Sequence, residues 1–397
     1  MTTNNPQVPW TDEQWARVNQ VIQEEATRAR VAATFLPLYG PLSADTDFVR
    51  AEIIPPDAPL RIQDRNTIQL ATLQVRVPVR SAQMADPDMR SVLAVFRRAA
   101  NVLARLEDAV VFRGLEQTNA TSIGFAPPGG TASLPAIWEI HGGQATPGLW
   151  GPRPTNATWQ WIEVSAVGEA LVTAVSDAIG KLEGHGHFGP FAAVLGQGLF
   201  LVAQTPDQSS LVLPQDRIIP FLGGGSLLRS STLDEHKGYS GVVVALGGAP
   251  VELVVATDVS LQFLQVTEHP NFLFRVREKI ALRIKEADAI IRLYVPPPTV
   301  TRLSQNRGPA AGSTADHPIN IDIEGTNFLG ATRVEFDGSA VTSFKILSDT
   351  QITVPLPAHA VGEVHAKVTT PGGTSDETAG NLFTYVGGQG PRRGGQG

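Results

Sequence analysis

Apolar residues recur at helical spacing in three stretches of the chain, and the first stretch has a clear start signal. Thr11 and Gln14 form a capping-box pair, in which each side chain can bind the backbone N–H of the other residue. Trp10 and Trp15 flank this pair at the positions of a hydrophobic staple. One apolar face continues beyond them, so the sequence predicts an amphipathic helix that starts at about Thr11 and ends before Pro37.

The second helical stretch is the longest and has a defined start and end. Asp86 suits the N-cap and Pro87 the first helical position, and apolar residues then keep helical spacing through residue 113. Gly114 suits the left-handed residue that follows a helix end. At about 1.5 Å per residue, a helix over residues 87–113 would be roughly 40 Å long. A third, shorter helix is predicted over about residues 165–182.

Between the first two helices, residues 40–82 alternate apolar and polar side chains and are interrupted by prolines. This alternation predicts strands with one buried and one solvated face. The predicted strands cover residues 60–62, 67–70 and 73–77. A long hairpin arm of this kind has little core of its own, so we expect it to need a partner surface.

The second half of the chain is predicted to be richer in strands. From residue 189, short apolar runs with β-branched residues predict an α+β region that contains one short helix at about residues 214–222. A run of prolines over 296–299 predicts a stiff linker. Residues 299–386 then show six to seven short strands with turn signals, as in a β-sandwich. The end of the chain, 387–397, is rich in Gly, Gln and Arg and is predicted to be disordered.

The amino-acid composition excludes several kinds of site and argues against some partners. The 397 residues are 42% hydrophobic and 17% charged, which is enough apolar material for a folded core. The lack of cysteine excludes disulfides, zinc–thiolate sites and iron–sulfur clusters. A formal charge of −7 argues against nucleic acid as a main partner, unless the protein is viral. Neither a signal peptide nor a membrane-spanning apolar run is evident, so a cytosolic protein without a membrane partner is expected.

Six segments within residues 6–295 occur in the same order as in a known family. They cover residues 9–15, 35–41, 107–114, 189–195, 214–225 and 257–261. Together they resemble the shell proteins of encapsulin nanocompartments, which have the Hong Kong 97-type capsid fold. The resemblance implies a shell domain over residues 1–295. Its parts would be an extended arm at about 43–82, a spine helix at about 87–113 and an axial domain at about 189–260.

A second resemblance covers the C-terminal region. Five short motifs resemble those of an IPT/TIG immunoglobulin-like domain over residues 299–386. They lie at residues 308–312, 323–328, 334–338, 348–354 and 368–373. The usual encapsulin shell protein has no such domain. Since the C-terminus lies on the outer face in that family, the resemblance implies a domain displayed outside the shell.

The encapsulin resemblance implies a structural role without catalysis or a cofactor. Copies of the chain would assemble into a closed icosahedral shell around cargo enzymes that carry a short targeting peptide. In the family, an inner groove near the opening helix and a late strand receives that peptide. The corresponding apolar residues here are Trp15, Val18, Ile22, Phe35, Leu36, Leu261 and Phe263. Each of them could equally be core packing.

The resemblance also places a fivefold pore loop on residues 205–211. Its polar side chains are Asp207, Gln208, Ser209 and Ser210. A surface loop with mixed roles is the simpler interpretation, because polar side chains alone do not establish the passage of ions.

Other candidate chemistry is weak. His185 and His187 could bind a metal, but no third ligand is evident from their spacing, so a loop is the simpler interpretation. The glycines of residues 223–226 lack the ending of a phosphate-binding loop. Ser240 lacks the pattern of a nucleophile elbow. Glu107 and Asp108 are neighbours on a helix and therefore point to different sides, so we expect one of them to cap or pair locally.

Two alternatives remain open from the residues. One is a phage or prophage major capsid protein with an immunoglobulin-like decoration domain. Such proteins often begin with a long scaffolding region, whereas the first helix here starts at about Thr11. The other alternative is a carbohydrate- or surface-binding protein that uses the C-terminal domain and would be a monomer.

Overall fold

The computed structural model describes residues 7–118, 137–151, 159–206, 212–234, 239–267 and 271–387. Its α-helices are α1 (Asp12–Ala29), α2 (Ala32–Phe35), α3 (Ser81–Met84), α4 (Arg90–Arg113), α5 (Gly168–Gly184), α6 (Gln197–Gln204) and α7 (Pro214–Ile218). No helix within these ranges is both long and apolar enough to cross a membrane.

The strands in the described part of the first 295 residues form two five-stranded sheets and one hairpin. The first sheet has the order β1-β10-β11-β4-β5, from Leu38–Tyr39, Val251–Val266, Asn271–Ile284, Ala71–Arg80 and Trp138–Gly142. The second has the order β6-β12-β9-β7-β8, from Trp161–Glu163, Ile290–Tyr294, Ser240–Ala245, Phe191–Leu195 and Leu227–Arg229. The hairpin pairs β2 (Phe48–Arg50) with β3 (Thr67–Gln69).

Helices α1 and α4 pack on the first sheet through a shared aromatic cluster. Trp10 stacks on Phe274 of β11 with ring centroids 5.0 Å apart, and Trp15 lies 5.1 Å from Trp10. Phe96 of α4 meets Phe274 edge to face at 5.4 Å. The predicted capping box is present, since the Gln14 N–H donates to Thr11 Oγ1 and the Thr11 N–H donates to Gln14 Oε1.

The spine helix α4 begins three residues later than predicted. Asp86 does not cap it, because Asp86 Oδ1 accepts the N–H of Asp88 at 3.1 Å and closes a tight turn ahead of the helix. Met89, with φ of 53°, then precedes the first helical residue. The predicted end is correct: Gly114 follows with φ of 84°, and a Cβ there would lie 2.2 Å from the carbonyl oxygen of Thr146.

The arm differs from its prediction. Residues 60–62 form no strand, and Leu60 and Ile62 are exposed in a turn region between β2 and β3. Strand β4 is not part of a free arm, because it pairs with both β11 and β5 and its inward side chains are buried. The arm therefore lies ahead of residue 71, and it contacts the first sheet, for example through the Ile54 N–H, which donates to the carbonyl oxygen of Lys285 at 2.8 Å.

Helices α5, α6 and α7 cover the second sheet and form a second core with it. The predicted helix over 165–182 begins instead at Gly168 and continues to Gly184. The predicted helix over 214–222 is divided into α7 and a three-ten turn over Ile219–Leu222.

The C-terminal unit is an all-β sandwich with its own core. One sheet has the order β13-β15-β19-β18, from Thr299–Leu303, Asn320–Thr326, Gln351–Pro355 and Lys345–Ser348. The other has the order β14-β22-β20-β16-β17, from Arg307–Pro309, Leu382–Val386, Gly362–Thr370, Arg333–Phe336 and Ser339–Ala340, with β21 (Gly373–Thr374) beside β20. The count exceeds the six to seven predicted strands because β14, β17 and β21 have only two or three residues each.

Candidate functional site

The seven apolar groove candidates lie together where α1 and α2 meet the first sheet, but their side chains face inward. All seven are buried in the first core: Trp15, Val18, Ile22, Phe35, Leu36, Leu261 and Phe263. They pack against the chain's own α4 and β11 residues, so their side chains are core packing in this structure. An open surface near them must be formed by their neighbours.

Those neighbours form a pocket of about 170 Å³ between the end of α1, strand β1 and strands β10 and β11. Its walls are mainly apolar, and its remaining lining is charged. The lining residues are Arg30, Ala33, Leu38, Gly40, Pro41, Glu107, Leu253, Val255, Asp258, Glu278 and Ile280. Leu38 is exposed at the pocket, because it lies on an edge strand of the sheet.

The charged part of the pocket contains two buried glutamates. Glu107 of α4 and Glu278 of β11 hydrogen-bond to each other, and Arg30 Nη1 lies 3.9 Å from Glu107 and 3.2 Å from Asp258. Burial raises the pKa of Glu107 to about 7, against the opposing charge of Arg30. Burial and the nearby charge of Glu107 raise the pKa of Glu278 well above its ordinary value. The pair therefore holds a shared proton near neutral pH.

Asp108, the next residue of α4, acts as a cap. Its carboxylate accepts the N–H of Ala32 at 2.8 Å and that of Val31 at 2.9 Å. Burial, and then the charge of Glu107, raises the pKa of Asp108 to about 8, while the two N–H groups oppose the rise. The sequence predicted that one of the two acidic residues would cap or pair locally, whereas Asp108 caps α2, which lies 76 residues earlier in the chain. It thereby joins the corner between α1 and α2 to the spine helix.

The arm lines a larger cleft. The cleft has a volume of about 700 Å³, and it is lined by arm residues 51, 53–56 and 65–68 and by residues at the start of β12. Phe48, Leu60 and Ile62 of the arm are exposed to solvent. The candidate pore residues Asp207, Gln208, Ser209 and Ser210 lie outside the described residues.

A spine helix across a long-stranded sheet, a projecting arm and a second α+β unit together define a capsid-type shell subunit. The family described as encapsulating protein for peroxidase matches residues 2–136 and 136–281, which is well over half of the chain. The chain belongs to this family of encapsulin shell proteins. Its fold is therefore of the Hong Kong 97 type, and its role is structural, not enzymatic.

The C-terminal unit is matched separately. Residues 298–385 match the IPT/TIG domain, in agreement with the all-β sandwich observed there. The two family matches follow each other along the chain and do not overlap, so the immunoglobulin-like domain is an addition to the shell subunit.

The chain is also similar to individual proteins and solved structures. The type 1 encapsulin shell protein EncA of Myxococcus xanthus (strain DK1622) is 28% identical over 298 residues, which cover 72% of this chain and 93% of that protein. The virus-like particle from Pyrococcus furiosus is 18% identical, with a TM-score of 0.49 over 70% of this chain and 98% of that chain. The holo-SrpI encapsulin complex from Synechococcus elongatus PCC 7942 is 11% identical, with a TM-score of 0.43 over 74% and 92%.

Proposed function

We propose that copies of this chain assemble into a closed icosahedral shell, a cytosolic nanocompartment that encloses cargo enzymes. The C-terminal domain would be displayed on the outside. Membership of the encapsulin family supports a shell-forming role. The observation that supports self-assembly is a set of three apolar side chains of the arm, Phe48, Leu60 and Ile62, that are exposed to solvent. Other apolar residues of the arm, such as Ala51 and Ile68, pack on the first sheet.

The arm is built for contact with a neighbouring copy. Leu60 is fully exposed, and Phe48 and Ile62 are more than half exposed. Burying one such side chain contributes about 1.5–3 kcal/mol. Closed symmetry repeats the contact around the whole shell and prevents unlimited growth. An arm that folds poorly by itself is thus completed by the copy beside it.

The cargo peptide would bind at the pocket beside α1, β1 and β10. The groove expected near the opening helix and the late strand has its apolar residues in the core, and this pocket is the adjacent open surface. Ala33, Leu38 and Val255 offer apolar contacts to one inserted side chain of an extended peptide. The seven buried residues would support the pocket from beneath.

The proposal that the C-terminal domain is displayed outside the shell is supported by the separate hydrophobic core of this domain. The sandwich has its own buried core, including Phe328, Phe336 and Phe383, and follows the shell unit after a proline linker. It can therefore fold without changing the core of the shell unit. On the resemblance alone, we also propose that the loop with Asp207, Gln208, Ser209 and Ser210 lines a fivefold pore.

Assembly through the arm is tested with the double variant Leu60→Ser/Ile62→Ser. We expect a drop of at least tenfold in the fraction of protein in shells, because several kcal/mol of repeated contact are lost at every interface. The measurement is size-exclusion chromatography with light scattering.

A matched control is the double variant Leu347→Ser/Val361→Ser, since both residues are exposed apolar residues of the C-terminal sandwich. It should assemble like the wild type. Normal shells from the arm variant would remove the arm from the assembly contacts.

A further inference from the structure

His187 is a buried histidine in the loop between α5 and β7. Its side chain is 7% exposed. The backbone places it there, because the His187 N–H donates to the carbonyl oxygen of Leu182 at 2.9 Å and so closes the end of α5. Within the described part of the chain, its Nε2 atom is buried and has no hydrogen-bond partner. Buried polar atoms are normally hydrogen-bonded, so a buried imidazole nitrogen without such a partner requires an explanation.

Two carboxylates that are distant in sequence face this histidine. Glu286 and Asp288 lie on either side of Ala287, at the three-ten turn Ala287–Ala289 that leads into β12. Asp288 Oδ1 is 3.0 Å from His187 Nε2, and Glu286 Oε2 is 3.9 Å from His187 Nδ1. Their side chains are 15% and 29% exposed. One ligand atom from each of the three residues lies within 4.8 Å of the other two.

The contact between His187 and Asp288 has the separation of a hydrogen bond but not its direction. Nitrogen and oxygen are 3.0 Å apart, yet the N–H is not aligned with the carboxylate oxygen. Two ligands at right angles around a divalent metal, each about 2.1 Å from it, are also separated by about 3 Å. The pair is therefore arranged like two adjacent ligands that point to a common centre.

The neighbouring histidine has an ordinary environment. His185 Nδ1 lies 2.8 Å from the carbonyl oxygen of Lys181, and its ring stacks on Trp159 with centroids 3.7 Å apart. The two histidines thus have different surroundings and do not face a common centre. The acidic residues that lie next to His187 are Glu286 and Asp288, about a hundred residues later in the chain.

We propose that His187, Glu286 and Asp288 bind a divalent first-row transition metal ion. One imidazole and two carboxylates suit manganese, iron, cobalt or zinc, whereas magnesium and calcium prefer oxygen ligands alone. Water fills the remaining positions. The ion ties the loop after α5 to the start of β12, and so it acts as a structural clamp of this unit.

The test uses the purified full-length chain, stripped with a chelator and then loaded with Mn²⁺ or Co²⁺. After dialysis, metal is counted by mass spectrometry. We expect about one ion per chain in the wild type and in the control His185→Gln. We expect less than a tenth of that in His187→Gln and in the near-isosteric Asp288→Asn. The same assay with Mg²⁺ should retain no metal.

Circular dichroism of each variant confirms that it is folded before its metal is counted. A wild type that retains no Mn²⁺ or Co²⁺ overturns the proposal whatever the variants do. Equal retention by folded His187→Gln and by the wild type also overturns it, because the metal is then bound elsewhere. Shell assembly is scored separately, so failure of this site leaves the proposed function unaffected.

Discussion

Three carboxyl groups lie side by side where the spine helix meets the first sheet. Glu107, Asp108 and Glu278 are almost completely buried, and the positive charge of Arg30 lies close to Glu107. Buried carboxyl groups this close together cannot all ionise without a large cost, since each charge lacks solvent and repels the others. The fold tolerates them because two share a proton and the third accepts backbone N–H groups.

This arrangement predicts that stability falls as the pH rises. In the folded chain Glu107 and Asp108 keep protons up to pKa values of about 7 and 8, whereas unfolded carboxyl groups release theirs near pH 4. The folded state thus binds more protons between these limits, and its advantage is lost as the pH rises through them. In the variant Glu278→Gln the free energy of unfolding should decrease less with rising pH, by a few kcal/mol at pH 8–9.

Thermal melts of wild type and Glu278→Gln between pH 5 and pH 9 check this prediction. The control is Glu169→Gln, because Glu169 is an exposed surface partner of Arg217. The control should keep the slope of the wild type. An unchanged slope in Glu278→Gln would show that the buried pair does not control the pH dependence.

At the scale of elements, prediction from sequence succeeded where a signal was local. The Thr11 cap and the end of α4 at Gly114 each depend on a few neighbouring residues, and both occur as predicted. The start of α4 was missed because the Asp86 side chain has two local options, an N-cap or a tight turn. The short strands β14, β17 and β21 are defined by their partners and leave almost no local pattern.

The role of the candidate groove residues also could not be predicted from local sequence patterns. Trp15, Val18 and Ile22 have the spacing of an apolar helix face, and this spacing is identical for a core and for an exposed groove. Only the packing of α4 and β11 over them decides between the two. Glu286 and Asp288 likewise carry no sequence signal that connects them to His187, since the contact depends on the tertiary fold.

The pocket between the end of α1 and strands β1, β10 and β11 is the proposed binding site of the cargo peptide, so a substitution at its rim should reduce cargo loading. Leu38→Asp places a charge at its exposed apolar rim and should lower cargo loading about tenfold, the equivalent of one lost apolar contact. The probe is a fluorescent protein that carries the C-terminal peptide of a protein co-purified with native shells. Fluorescence per shell is measured after size-exclusion chromatography.

The control for cargo loading is Leu347→Asp, an equally drastic change at an exposed leucine of the C-terminal sandwich. It should load cargo like the wild type. Equal loading by Leu38→Asp would exclude this pocket as the peptide site, while intact shells in the same sample would leave the assembly proposal standing.

In the molecule as a whole, an encapsulin-type shell unit is followed by an immunoglobulin-like domain. The encapsulin family match ends at residue 281, and the IPT/TIG match begins at residue 298. The core of the sandwich is separate from the two cores of the shell unit. The sandwich is therefore a separate folding unit that follows the shell unit along the chain.

Self-assembly is tested by negative-stain electron microscopy of the full chain expressed alone, beside a chain that lacks residues 299–397. We expect uniform, closed, hollow particles in both samples, with additional outer density only in the full-length sample. A monodisperse monomer in both samples would contradict self-assembly. Particles from the full chain alone would contradict the view that the C-terminal domain only decorates the shell.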